Sequence, residues 1–180
     1  MNRCSWVNLN NPLYVDYHDN EWGVLSYDDN YIFMCLCLEI LSSGLSFECI
    51  LNKREDLKRA FLDFKLKDVM SFTSDDIKRI LNSPNVIRHE GKIKAIINNA
   101  RVFNDISLSF NGFMSYLLKW TNGMVLFEEG LSKSPLSDAI TKDLKRRGMQ
   151  FIGSTTIYAF LQATGVIDSH SSLCFKHKKN

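Results

Sequence analysis

The sequence lacks a long apolar run. Its longest, Tyr31 to Leu38, falls far short of the ~20 residues a membrane-spanning helix needs. The opening residues, Met-Asn-Arg-Cys-Ser-Trp, carry no apolar signal core. Both absences lead us to expect a cytoplasmic protein with no membrane partner. A surplus of charge is missing too: 22 basic and 20 acidic residues leave +2, which excludes a polycationic scaffold but not a local basic face. An even set of cysteines is also lacking. Five of them argue against a full disulfide framework and for thiols or metal ligands. Alternating stretches long enough for strands are absent, as are internal repeats and low-complexity tracts.

What remains is 180 residues with ordinary apolar content, enough for one domain with a real core. Residues 1–27 read as irregular, with Asn10-Asn11-Pro12 as a turn signal. Asp28 or Asp29 caps a helix to about Ser43, apolar on every side and so expected to be buried all round. Gly44 ends it, and Ser46 caps a second helix whose stripe is Phe47, Ile50, Leu51, Leu57 and Phe61. A short helix near Leu66 to Phe72 follows, then one capped at Thr73 and broken by Pro84. Further helices are expected from His89 or Glu90 to about Asn104 and from Phe110 to Trp120. Thr121 to Ser134 reads as loop, Ser137-Asp138 opens a helix to Arg147, and Ser154 to Thr164 is the last helix. The fold class is all-α.

Three constellations carry chemistry. Lys142, Lys145, Arg146 and Arg147 crowd the end of one helix; Gly148-Met-Gln-Phe-Ile-Gly153 turns the chain; Ser154, Thr155 and Thr156 open the next. A glycine lets backbone approach a ligand, and a helix N-terminus with hydroxyls suits a phosphate, so the hairpin can hold DNA. The plain alternative is an ordinary helical turn with a solvated basic face. Secondly, Cys4 and His18 near one end and His170 and Cys174 near the other form a Cys₂His₂ set suited to a closed zinc site. His170 and Cys174 share a face if that segment is helical. Two alternatives stay open: an exposed tail histidine beside a core cysteine with no metal, or Cys174 pairing with His177 instead. Cys35, Cys37 and Cys49 sit in apolar helices and read as inert thiols, and His89 as a surface residue.

Thirdly, Glu39 is the one charged side chain between Tyr31 and Leu41. A buried carboxylate costs several kcal/mol unless partnered, so it either pairs with a buried cation or serves as the polar handle of an apolar pocket. Trp6, Tyr17, Trp22 and Phe47 are the candidate walls. Two of them belong to the stretch Tyr17 to Gly23, which packs His18, two rings and two carboxylates into seven residues and reads as an ordered loop.

The chain resembles the bacterial 3-methyladenine DNA glycosylase I family over nearly its whole length. The resemblance rests on Arg3-Cys4-Ser5-Trp6-Val7, Pro12-Leu13-Tyr14, YHDNEWGV from Tyr17, Cys37-Leu38-Glu39 and Gly44-Leu45-Ser46. It continues through Ile87-Arg88-His89, Gly91-Lys92-Ile93, Ser137-Asp138-Ala139, LKRRGMQFIGSTT from Leu144, and Gly165-Val166-Ile167 leading to His170 and Cys174. It implies a single helix-hairpin-helix glycosylase domain, with the hairpin unit at about 137–164. Segments 1–27 and about 165–180 would be tied by a structural zinc on Cys4, His18, His170 and Cys174. The family's base pocket carries over onto Trp6, Tyr17, Trp22, Glu39 and Phe47, with Glu39 and Tyr17 as the catalytic residues. Leu45 matches the residue that enters the gap left by a flipped nucleotide. Lys145, Arg146, Arg147, Gly148, Gly153, Ser154 and Thr155 fall on the DNA-binding hairpin.

The implied activity is release of free 3-methyladenine from double-stranded DNA carrying alkylated bases, leaving an abasic site, by a monomer. Bifunctional relatives carry a lysine nucleophile just after the second hairpin glycine. Ser154 and Thr155 stand there instead, so no lyase step is expected. Two residues depart from the pattern. Phe47 replaces a tryptophan, which makes one wall smaller, and Asp168 stands where the family commonly has Asn. Asp168 is expected to make a capping or hairpin hydrogen bond and not to act as a catalytic base. Two rivals follow: a glycosylase of different base specificity, and a DNA-damage binder without catalysis.

Overall fold

The computed structural model describes residues 1–177. Ten α-helices carry the chain among these residues: α1 (Pro12–Asp16), α2 (Asp29–Ser42), α3 (Phe47–Asn52), α4 (Arg54–Ala60), α5 (Leu66–Met70), α6 (Ser74–Asn82), α7 (Glu90–Phe110), α8 (Phe113–Lys119), α9 (Pro135–Arg146) and α10 (Ser154–Ala163). A single π-turn, Tyr17–Glu21, follows α1, and two two-residue strands, β1 (Leu126–Phe127) and β2 (Ile167–Asp168), pair in parallel. No helix is long and apolar enough to cross a membrane among the described residues.

α2 is the axis of the core. Nine of its residues are buried, including Phe33, Leu36, Cys37 and Ile40, and it packs against α10, α7, α3 and α8. Its all-round apolar composition has this cause: a helix surrounded by helices has no face left for water. Its last carbonyls are met by a lysine. Lys92 of α7 is buried and its ammonium donates to Leu41 O at 2.8 Å and Ser43 O at 2.7 Å. A cation at a helix C-terminus meets both the free carbonyls and the macrodipole.

Several boundaries differ from the sequence expectation. Residues 1–27 are not irregular throughout. Asn11 caps α1 by accepting from Leu13 N at 3.1 Å, with Pro12 at the first helical position, so what reads as a turn signal is a helix start. Tyr17 to Gly23 is mostly a π-turn, closed by Trp22 N donating to Tyr17 O at 2.8 Å. The stripe from Phe47 to Phe61 is two helices, separated at Lys53. α7 runs on past Asn104 to Phe110, where Asn111 in the left-handed region ends it. α8 therefore starts only at Phe113, whose N–H is capped by Asp29 Oδ1 at 2.9 Å. α9 starts three residues earlier than expected because Ser134 and Ser137 form a reciprocal cap ahead of Asp138. The segment holding His170 and Cys174 is a series of turns and not a helix. Its expected extension to residue 180 lies partly outside the described residues.

Two close approaches bring the chain ends together. A Cβ on Gly23, at φ +75°, would stand 2.8 Å from the His170 ring. One on Gly165, at φ +74°, would stand 2.7 Å from Leu25 N. Only glycine allows both the left-handed backbone and the contact. Phe175 N donates to Asn2 O at 2.8 Å, so the first residues lie against the last described ones.

The turn between α9 and α10 is clamped by α7. Asn99 is fully buried; its Oδ1 accepts from Gln150 N at 2.8 Å and its amide nitrogen donates to Gln150 O at 2.9 Å. Asn98 adds a bond to Gly148 O at 2.8 Å. Replacing Asn99 by Ala removes both bonds to Gln150 and leaves a gap, so stability should fall by about 1–3 kcal/mol. Urea unfolding of Asn99→Ala checks this; an unchanged midpoint would show that the clamp contributes nothing.

Candidate active site

The π-turn explains how neighbouring residues serve two sites. An extra residue in the turn widens it, and Tyr17 and His18 are both buried, at 5% and 0% exposure. Tyr17 enters a cavity of about 310 Å³. The cavity is also lined by Trp6, Trp22, Glu39 and Phe47, so every expected wall residue faces the same space. Tyr17 and Phe47 lie 5.0 Å apart between ring centroids, and Trp6 and Trp22 meet edge to face at 4.8 Å.

The sequence did not point to Tyr14, Gly130, Leu131, Ala159, Gln162 and Ser169, which complete the lining. Gly130 and Leu131 arrive because β1 pairs with β2 and anchors an otherwise irregular loop. Two-residue strands have no alternation to detect. Gln162 and Ser169 lie on α10 and just past β2, and only the tertiary fold brings them here.

Glu39 has no cationic partner among the described residues. Its one side-chain hydrogen bond among the described residues is from Ser42 Oγ, which donates to Oε2 at 3.3 Å. Burial pushes its carboxyl up to about 8, slightly opposed by Ser42. The buried ion pair left open by the sequence is therefore not what holds Glu39; it is a lone acid at the edge of an aromatic cavity. Tyr17 is raised well above the ordinary phenol value by burial first and by Glu39 second, so it is a neutral donor.

His18 faces the other way. Its Nδ1 lies 2.8 Å from Asp19 Oδ1, leaving Nε2 as the acceptor side, 3.4 Å from Cys174 Sγ and 3.5 Å from the Cys4 N–H. Donor atoms of Cys4, His18 and Cys174 all lie within 4.8 Å of one another, and all three residues are buried. Arg3 grips Asp19 through Nε at 2.8 Å and a terminal nitrogen at 2.6 Å, which holds its carboxyl at about 2.

His170 stands beside this trio, its ring 5.3 Å from that of His18. Its Nδ1 meets Asp168 Oδ1 at 2.8 Å, and its Nε2 is buried with no partner among the described residues. Burial lowers its pKa, which keeps the ring neutral. His177 instead bonds His170 O at 3.1 Å and packs on Phe127. Asp168 does not line the cavity; it accepts from His170 N at 3.0 Å as well as from the ring.

At the hairpin, Lys145, Arg146, Gly148 and Thr155 are exposed. Arg146 pairs with Asp143 while staying largely in solvent. Arg147 is exposed as well, but it is braced: Nε donates to Asp143 Oδ2 at 2.7 Å, and its guanidinium lies 5.6 Å from the rings of Phe110 and Tyr116. Ser154 Oγ meets Ser137 Oγ at 2.7 Å, tying the starts of α9 and α10. Gly153 has extended backbone, and a Cβ there would meet nothing within 4 Å. Leu45, after Gly44, is 46% exposed and is not part of the cavity wall.

A model of the methyladenine glycosylase family matches residues 6–177. The chain belongs to this family. It is 37% identical to DNA-3-methyladenine glycosylase 1 of Escherichia coli over 180 aligned positions, covering 97% of this chain and 96% of that protein. A crystal structure of 3-methyladenine DNA glycosylase I superposes with a TM-score of 0.92 at 37% identity, covering 98% of this chain and 100% of the other. The enzyme from Staphylococcus aureus, solved to explain its recognition of 3-methyladenine, gives a TM-score of 0.92 at 34% identity over 100% of this chain and 99% of its own.

The state of Glu39 sets a pH dependence of stability for this family member. Its folded pKa, about 8, lies above its unfolded value, so the folded chain holds a proton that the unfolded chain loses first. The stabilising contribution is complete at low pH and is lost as pH rises towards about 8. Glu39→Gln should therefore melt like the parent at pH 5 and higher than the parent at pH 8. Melting curves across that range check the sign. A variant destabilised at both pH values would restore a structural ion pair.

Proposed function

We propose that this protein hydrolyses the N-glycosidic bond of 3-methyladenine in alkylated double-stranded DNA, releasing the free base and leaving an abasic site. The observation that carries the reading is Glu39, a buried carboxylic acid without a counter-charge in a cavity walled by Trp6, Tyr17, Trp22 and Phe47. The family membership supports it.

A base must leave the duplex to reach such a cavity. Adenine methylated at N3 carries positive charge in DNA, and aromatic faces bind a flat cation better than a neutral base. Beside that cation the ionised form of Glu39 is favoured, so the acid gives up its proton and then accepts from the base's N–H groups. Unmodified adenine brings no charge and leaves Glu39 protonated. The bond to the sugar is already weakened by methylation, so Glu39 and Tyr17 need only hold the leaving base while water attacks the sugar carbon. No Schiff-base step is assigned: Ser154 and Thr155 follow Gly153, and the buried Lys92 is engaged by two carbonyls of the α2 end.

The hairpin would hold a phosphate. Open space at Gly153 lets backbone N–H groups approach one, and Lys145 and Arg146 supply charge, while Arg147 braces the base of the turn through Asp143. Leu45, exposed on a short turn, is suited to fill the gap in the stack.

Cys4, His18, His170 and Cys174 fit a structural zinc. Both histidines place Nδ1 against a carboxylate and leave Nε2 for a metal, the usual arrangement around ligating histidines. The orphaned Nε2 of His170 also asks for a partner. The metal would join the chain ends and take no part in bond breaking.

Methylated DNA incubated with the protein should release 3-methyladenine. Glu39→Gln, which keeps shape but removes charge, should slow release by about 1.5–3 kcal/mol, the size of a charge-assisted hydrogen bond. Chromatography of the released bases decides; no released methylpurine would leave only a damage binder. The pure protein should hold about one zinc per chain, and Cys4→Ala or His170→Ala should lower the melting temperature and lose metal. Metal-free protein of full stability would overturn the zinc assignment.

A further inference from the structure

Glu39 is not the one polar group with a stake in the cavity. Gln162, on the last turn of α10, and Ser169, just past β2, both line it, and the Gln162 amide nitrogen donates to Ser169 Oγ at 2.8 Å. Next to them sit two buried atoms with no hydrogen-bond partner among the described residues, the Tyr158 hydroxyl and Glu128 Oε2. Tyr158 is one helical turn before Gln162 on α10. Glu128 is brought alongside by the strand pairing, its N–H donating to Asp168 O at 3.1 Å. The Tyr158 phenol is raised by burial, lowered by the Ser169 hydroxyl and raised by the Glu128 carboxylate, so it senses both neighbours. A buried donor and a buried acceptor brought alongside each other, both without another partner, are placed to pair.

We propose that Gln162 is a specificity-determining residue for the base, held in one amide orientation by a relay through Ser169 and Tyr158 to Glu128. The polarity of the chain follows from its end. The free Oε2 of Glu128 is an acceptor, so Tyr158 donates to it and uses its own oxygen to accept from Ser169. Ser169, having donated, accepts from the Gln162 amide nitrogen, as observed. With the amide nitrogen turned to Ser169, Gln162 has left its carbonyl oxygen, the atom turned the other way, and the second N–H of that nitrogen.

With Glu39 ionised beside a cationic base, Glu39 and Gln162 together present acceptors. This edge receives the amino group at the six-position of 3-methyladenine. It meets the carbonyl oxygen at the same position of 3-methylguanine with lone pairs against lone pairs, a repulsive element of the kind that gives selectivity. Without the relay the amide could turn over and offer its nitrogen to that carbonyl. This inference rests on the reading of the cavity as a methylpurine site.

Quenching of tryptophan fluorescence measures it, since Trp6 and Trp22 line the cavity. The probes are free 3-methyladenine and free 3-methylguanine. The parent should prefer 3-methyladenine. Gln162→Leu should weaken 3-methyladenine by about tenfold, one hydrogen bond's worth, and leave 3-methylguanine unchanged or tighter. Ser169→Ala and Glu128→Leu should lose part of the preference while staying folded. Glu128→Gln, whose carbonyl still accepts from Tyr158, should keep it. Equal weakening of both bases in Gln162→Leu, or an unchanged preference in folded Ser169→Ala and Glu128→Leu, overturns the relay alone. A parent that binds neither base overturns the methylpurine reading, and this inference with it.

Discussion

The meeting of the two chain ends is the constraint on which the rest depends. His18 and His170 belong to segments far apart in sequence, yet their rings lie 5.3 Å apart, and Trp22 packs against both, 4.6 Å from His170 and 6.1 Å from His18. Trp6 touches His18 on one side and Trp22 on the other. Two walls of the cavity are therefore also the outer layer of the Cys-His cluster. Glycines at 23 and 165 make the approach possible, and the cluster gives a reason for it to persist. Neither terminal segment buries enough apolar surface alone: the satellite core there is small, built on Cys4, Val7, Tyr17, Trp22, Leu51, Ala163 and Cys174.

Against this tied layer stands the opposite kind of element, α2, which needs no tie. Its burial is what raises Glu39, because the helix that carries it is wrapped by other helices and brings no cation with it. The same burial that costs stability at neutral pH makes the acid responsive. A group poised near 8 changes state when a positive charge arrives, whereas an exposed glutamate would be ionised already and would attract any cation. The buried cation at the end of this helix is spent elsewhere: the Lys92 ammonium is held by Leu41 O and Ser43 O, which fixes the turn carrying Leu45.

What the sequence made legible was local chemistry with a clear signature. The lone charge of α2, the caps at Ser46 and Thr73 and the break at Gly148 were all readable, because each is decided by neighbours in the chain. The five aromatic and acidic wall residues came as a group, from composition and from the resemblance. What was missed is decided elsewhere. The π-turn depends on packing on both sides of Tyr17 and His18; β1 exists only through β2; Asn99 looks like any polar residue on a long helix until Gln150 lies across it. In each case a partner distant in sequence overrides the local reading. Arg147 differs: it sits on the basic end of α9 as read, and there it also pairs with Asp143, one turn before it, beside the rings of Phe110 and Tyr116.

Asp168 shows how a single substitution can be understood from its hydrogen bonds. Its geometry runs against a role as catalytic base. Oδ1 of Asp168 accepts both from the backbone and from the ring of His170, the side chain is buried behind β2, and the cavity wall at this point is Ser169. A carboxylate bound to the far nitrogen of a histidine fixes which nitrogen carries the proton and strengthens the near one as a ligand. Asp19 stands in the same relation to His18. An asparagine can accept the same ring proton, but without the charge. Asp168 in place of Asn therefore acts on the tie between the chain ends, and reaches the aromatic cavity only through the rings packed against it.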